Sequence, residues 1–269
     1  LTLSGGDMTV NTPTTLTVTT GNFTINAAAS NYGGDGTVTI SSADLVISAG
    51  THTFGGTLTL SAADGDILVS GGTTTLSGAA TANGATGGAA VSGGTLNNDG
   101  LLTVRTLDVS GTGTEGGSGN ISVTTNVTIT GGTLNGNART ISVGGDWDES
   151  ATFAAGTSTV IFTGTAPSVT TTDAFYNLTV NGTSVTLASA ITVNNALTIT
   201  AGTLNDGGNT VTVAVSWSNA GTYTATGTVV FSTAATATIS GSTNFNNFTC
   251  AAAGKTLQFQ AGQTQTIAG

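Results

Sequence analysis

Short apolar–Thr–apolar units recur along the whole chain at a step of six or seven residues, and that step limits the fold more than any other feature. The first apolar positions of successive units fall at 121, 127, 134 and 141, and again at 178, 185, 191, 197, 204 and 211. Within each unit, as in Leu16-Thr-Val18, Phe23-Thr-Ile25, Val38-Thr-Ile40 and Leu58-Thr-Leu60, apolar residues alternate with Thr or Ser. That is the period-two pattern of a strand with one buried and one wet face, and no segment sustains a helical period. A sandwich or barrel spaces its turns ~8–12 residues apart. The shorter step makes three strands and their corners into a coil of roughly 20 residues, the size of a stacking repeat. The expectation is an all-β chain folded as a single-stranded parallel β-helix with about three short strands per coil. Tandem antiparallel β-sandwich units are the alternative.

A second, longer period overlies the first. Gly132-Thr-Leu-Asn135 returns as Gly202-Thr-Leu-Asn205, and Trp147 returns as Trp217, at an offset of about 70 residues. Phe153 is echoed by Tyr223, Val160-Ile-Phe162 by Val229-Val-Phe231, and Phe175-Tyr-Asn-Leu178 by Phe245-Asn-Asn-Phe248. Residues 131–269 thus form a regular portion of two repeats, 131–200 and 201–269, while 1–130 is less regular. Segments 78–94 and 111–119 carry few large apolar groups and are expected to be long corner loops. Gly and Asn clusters such as Asn205-Asp-Gly-Gly208 suit the sharp corners. Trp147, Trp217, Leu178 and Phe248 are expected to mark the core, together with Cys250, which stands where Val180 does in the preceding repeat.

Charge excludes several functions. Only 6% of residues are charged, Lys and Arg together number 3, and the formal net charge is −10. Binding nucleic acid needs cations along the phosphates, and docking to an anionic membrane needs a basic patch. Neither is expected. There is no apolar run long enough for a transmembrane helix, and any secretion signal would lie outside this sequence. The single cysteine allows no internal disulfide.

Gly93-Gly-Thr-Leu-Asn-Asn-Asp-Gly100 and Gly202-Thr-Leu-Asn-Asp-Gly-Gly-Asn-Thr-Val211 resemble the repeats of bacterial secreted and surface β-solenoid proteins, including autotransporter passengers and filamentous-haemagglutinin-like adhesins. Phe175-Tyr-Asn-Leu-Thr-Val180 is similar to phrases in long secreted bacterial repeat proteins. The resemblance implies an extracellular or cell-surface location, a structural or adhesive role, and a surface glycan or a host or abiotic surface as partner.

Candidate chemistry is sparse. Asp146, Asp148 and Glu149 flank Trp147, and alternate acids can ligate Ca²⁺. The matching stretch Val215-Ser-Trp217-Ser-Asn219 keeps the Trp without the acids, so a solvated loop is expected and no cofactor. Tyr32-Gly-Gly-Asp-Gly-Thr-Val38 has part of a Gly-rich calcium motif but puts Val38 where the acid belongs. A carbohydrate-binding or polysaccharide-degrading β-helix would need paired carboxylates; Asp64 and Asp66 flank Gly65 and read as turn residues. His52 is the only histidine, and no nucleophile is tied to it by spacing, so no catalysis is expected. Thr-x-Thr units such as Thr15-Leu-Thr17 and Thr37-Val-Thr39 suggest an ice-binding face, which requires Thr on one wall coil after coil. Here Thr is spread over many strands, and that reading ranks last.

A solenoid end exposes unpaired backbone unless a cap covers it. Strand patterns run from Leu1 and Leu3 to Leu257, Phe259 and Ile267 without an evident cap. The expected function is a rod- or filament-forming segment of a surface fibre or adhesin, joined head to tail or continuing a longer repeat chain.

Overall fold

The computed structural model describes residues 1–233 and 236–269. Its strands are three or four residues long for the most part, and no helix occurs among the described residues. Each strand pairs in parallel with the strand one turn later, some 18 to 24 positions on, as in Thr17↔Thr39, Ile67↔Ala89 and Asn177↔Ala196. About 13 such turns stack into a β-solenoid with three strands per coil. At ~4.8 Å per turn the stack is on the order of 60 Å long.

Three walls result, and among the described residues they form sheets of 12, 8 and 16 strands. The 12-stranded wall begins at Thr2–Leu3 and Phe23–Ile25, the 8-stranded wall at Asp7–Thr9 and Asn31–Gly33, and the 16-stranded wall at Thr15–Val18 and Thr37–Ile40. Alternation explains the core. In the 16-stranded wall the inward file Val38, Leu58, Ala80, Leu102, Ile121, Ile141, Val160, Leu178 and Leu197 rises rung by rung, and each of its members is buried. Parallel pairing in register brings like residues together, so every rung covers the apolar surface of the rung below.

The segments expected as loops are part of the stack. Strands Ala80–Ala82 and Gly88–Val91 lie within 78–94, with Ala80, Ala82, Ala89 and Val91 buried. Thr114–Gly116 lies within 111–119 and turns Glu115 inward. Small or polar inward residues gave these strands no apolar signal, but a rung needs only a side chain that fits beneath its neighbours.

Corners stack as tightly as strands. Gly56, Gly78, Gly100 and Gly119 sit above one another, and a Cβ on Gly100 would lie 2.2 Å from the Gly78 carbonyl oxygen. Gly100→Ala is therefore expected to lower stability by ~1–3 kcal/mol, as other overpacked sites do. Urea unfolding of the variant checks this; an unchanged midpoint would show that the corner yields.

The long repeat has a structural meaning that its sequence did not disclose. Trp147, Phe153 and Phe175 form a buried triad, with Trp147 edge-on to Phe153 at 4.9 Å and tilted against Phe175 at 5.5 Å. Trp217, Tyr223 and Phe245 repeat it at 4.8 and 5.3 Å. Yet Trp147 lies in the 12-stranded wall between Val127 and Val169, and Trp217 in the 16-stranded wall between Leu197 and Ile239. Three rungs above Trp147 the file reaches the Asn205 strand, still short of Trp217. The repeat spans three turns and part of a fourth, so it carries the same packing unit from one wall to another. The nine-residue strand Ile191–Ile199 bridges two files, pairing Ile191–Val193 with Val211–Val213 and Ala196–Ile199 with Ser216–Asn219.

Two core expectations need correction. Phe248 is only half-buried and Cys250 is exposed. Their strand, Asn247–Cys250, pairs with Thr228–Phe231 below and, among the described residues, has no strand paired above it. A side chain on the last rung of a file has nothing to cover it. Trp147, Trp217 and Leu178, each with rungs on both sides, are buried.

Candidate functional site

Inward positions of the 8-stranded wall carry the most unusual chemistry. The file reads Met8, Tyr32, His52, Thr74, Leu96, Glu115, Leu134, Phe153, so that three polar side chains occupy core rungs. His52 is fully buried; its Nδ1 accepts from the Tyr32 backbone N–H at 3.2 Å and its Nε2 lies 2.6 Å from the Ala49 carbonyl. Those partners assign the neutral tautomer with the proton on Nε2. Tyr32 stacks on Phe54 at 4.4 Å, and burial pushes its hydroxyl up to about 12.

Above them lies a buried ion pair. Glu115 and Arg139 both have fully buried side chains and meet through Arg139 Nη2 and Glu115 Oε2. Arg139 Nη1 also donates to Asn98 Oδ1 and, at 3.0 Å, to the Gly116 carbonyl. Asn98 Nδ2 donates to the Gly119 carbonyl at 3.0 Å. Burial pushes the Glu115 carboxyl up, to about 7, against the downward pull of the Arg139 guanidinium. Three turns are tied together through their interior by groups that no spacing pattern in the sequence connects.

The acids singled out in the sequence do not converge. Asp146, Asp148 and Glu149 alternate across a strand, so Asp148 points outward and Glu149 inward. Asp146 Oδ1 accepts the Ser168 N–H at 2.8 Å. Glu149 accepts from Thr171 Oγ1, the Thr172 N–H and hydroxyl, and the Asp173 N–H, all within 2.7–2.8 Å. Asn219, its counterpart in the next repeat, likewise reaches up to Ser242 and Thr243. Asp66 belongs to a corner file in which Asn22 accepts the Asp44 N–H, Asp44 the Asp66 N–H and Asp66 the Gly88 N–H. Asp64 is exposed and outside that file. Asp35 accepts the Thr12 N–H, which lowers its carboxyl. Asp35, Asp44, Asp66, Asp146 and Glu149 thus serve as acceptors for backbone donors one turn away. Among the described residues no group of three or more His, Cys, Asp or Glu converges as a metal site would.

Asp206 is the fullest example and was not foreseen. Its buried carboxylate accepts from the Gly208, Thr226 and Gly227 N–H groups and from the Tyr223 hydroxyl at 2.7 Å. Burial raises its pKa, but the bonds from Gly208, Tyr223, Gly227 and Thr226 outweigh that and hold it below the usual carboxylate range. Glu149 is lowered in the same manner, its hydrogen bonds from Thr171, Asp173 and Thr172 outweighing burial. A carboxylate depressed by folding contributes stability that is present above its ordinary pKa of about 4 and is lost as pH falls through the lower folded value. The gap in urea midpoint between the protein and Asp206→Asn is therefore expected to narrow as pH falls from about 6 to about 3. A gap that stays constant would remove the carboxylate's charge from the explanation.

Shallow depressions among the described residues include one of about 240 Å³ bordered by Asn219, Thr222, Tyr223 and Asn244, and one of about 330 Å³ bordered by Thr163, Asn181 and Thr183. Neither holds a carboxylate pair or a nucleophile beside a base. The walls are more distinctive: parallel register gathers Thr residues that look scattered in the sequence into vertical files. Thr17, Thr39, Thr59, Thr81 and Thr103 form one file on the outside of the 16-stranded wall, followed by Ser122 and Ser142. Thr51, Thr73, Thr95, Thr114, Thr133 and Thr152 form another on the 8-stranded wall. The expectation that Thr would not stay on one wall is thereby corrected.

The fold places the chain in the class of parallel β-solenoids. No protein-family model, curated protein or solved structure matches it.

Proposed function

We propose that this chain is a length of an extracellular rod, a structural or adhesive segment of a bacterial surface fibre, without catalytic activity. The observation that carries this reading is the unbroken parallel stacking of about 13 turns, in which even the acids serve to join one turn to the next. Such a stack is stiff, elongated and extendable, because each rung offers the next a ready-made edge. The outermost rungs keep that offer open: Leu1, Phe259 and Ile267 are each about half exposed, and Leu3 and Leu257 are partly buried against the core. Head-to-tail stacking of copies, or continuation in a longer repeat chain, would cover them. The partner this reading implies is a glycan or an abiotic surface.

Electron microscopy of the purified chain over a range of concentrations tests the reading. Rods about 60 Å long that join end to end as concentration rises are expected. Short rods at every concentration would remove self-assembly, and compact particles would remove the rod itself.

A further inference from the structure

We propose that the outer face of the 16-stranded wall, over its first turns, binds ice. The proposal rests on the fold and is independent of the fibre reading. Two columns of Thr stand side by side there, Thr15 and Thr37 beside Thr17 and Thr39; exposed Thr57 immediately precedes the next strand, and the second column continues through Thr59, Thr81 and Thr103. Register alone makes this lattice: rungs are ~4.8 Å apart, and residues two apart along a strand are separated by ~6.6 Å. The rung spacing lies close to the shorter oxygen–oxygen repeat of a prism face of hexagonal ice, and the spacing along the strand approaches the longer one from below. Pairing keeps its register from Thr15–Val18 up to Thr159–Phe162, and the first shift comes between Phe175 and Asn177. The rungs therefore stay aligned across the proposed face.

A second observation points outward. None of these eight Thr hydroxyls takes part in a side-chain hydrogen bond with the described residues, whereas Thr125, Thr171, Thr200 and Thr226 at the corners donate to carbonyl or carboxylate oxygens. The wall's donors and acceptors are left to water, and water that bridges fixed hydroxyls at ice-like spacing is already ordered when it meets a crystal. No charged residue stands in either column to disturb it. A platform for polysaccharide would present aromatic rings, and the rings of Phe23, Tyr32, Phe54 and both Trp are turned into the core. The 8-stranded wall is the control: its single file runs from Thr51 to Thr152, but it doubles its Thr only at Thr51 with Thr53 and Thr73 with Thr75, after which the second column passes to Asn97 and Gly116.

The test compares the protein with Thr39→Tyr, at the centre of the proposed face, and Thr75→Tyr, on the control wall. Partition of fluorescently labelled protein into a growing ice hemisphere and thermal hysteresis are the readouts, with circular dichroism confirming the fold. Uptake and hysteresis in the protein and in Thr75→Tyr, with loss of most of both in Thr39→Tyr, are expected. Should Thr39→Tyr not fold, Thr59→Tyr takes its place. Exclusion of the unmodified protein from ice would overturn the proposal, as would equal loss in the two variants or loss only in Thr75→Tyr. Retention on crystalline cellulose without ice uptake would assign the wall to polysaccharide and overturn it as well.

Discussion

Glu115→Ala is expected to destabilise the protein by about 3–5 kcal/mol near pH 8, where the carboxyl is ionised and paired. The variant leaves the Arg139 guanidinium inside the solenoid with its strongest partner gone. Arg139 is 3% exposed, so it cannot turn to solvent without opening a corner. A guanidinium does not escape by losing its proton. What remains is Asn98 Oδ1 and the carbonyls of Gly116, Gly119 and Asn135, which cannot replace a carboxylate. Replacing both partners, Glu115→Leu with Arg139→Met, is expected to recover most of the loss, because a paired buried charge contributes little net stability over an apolar pair of similar volume. Urea unfolding of the two single variants and the double variant gives the comparison. If Glu115→Ala alone unfolds at the unmodified protein's midpoint, the network is not the internal tie that its geometry indicates.

Trp217→Ala and Trp147→Ala should each cost about 3–5 kcal/mol, because each empties the centre of an aromatic triad with rungs above and below. The two sites then differ in a way that only the structure exposes. Trp217 Nε1 donates to Thr243 Oγ1 at 3.1 Å, whereas Trp147 Nε1 is buried without a partner. Trp217→Phe gives up a buried hydrogen bond, about 1 kcal/mol, while Trp147→Phe removes an unsatisfied donor. Trp147→Phe is thus expected to be the milder change by roughly that amount, although both rings sit in matching triads. Equal losses in thermal or urea unfolding would show that the ring volume alone decides.

Much of the fold was legible because its grammar is local. Alternation in Val38-Thr-Ile40 or Leu58-Thr-Leu60 fixes which side faces in, and the six-to-seven-residue step leaves room for a strand and a corner only. Where inward residues are small or charged, as at Ala80, Ala82 and Glu115, that grammar fell silent and the segments looked like loops. The candidate acids were misplaced for a related reason. Asp146, Asp148 and Glu149 read as one solvated loop, but strand alternation leaves Asp146 and Asp148 outside and buries Glu149. Their real partners, Ser168 and Thr171 to Asp173, lie one turn away.

The sequence by itself determined most of the strands and their inward faces, showed the recurrence of a Trp-bearing unit and favoured the solenoid over the sandwich, since each depends on the order of apolar and polar residues along the chain. Only the tertiary structure decided what stands above what. Register between turns varies between 18 and 24 residues, as in Thr159↔Asn177 and Asp7↔Asn31, because the corners differ in length. No local pattern encodes that sum of corner lengths. It joins Asn98, Glu115 and Arg139 inside the stack, lines up Thr17, Thr39 and Thr59 on its surface, and moves the repeated Trp from one wall to the next.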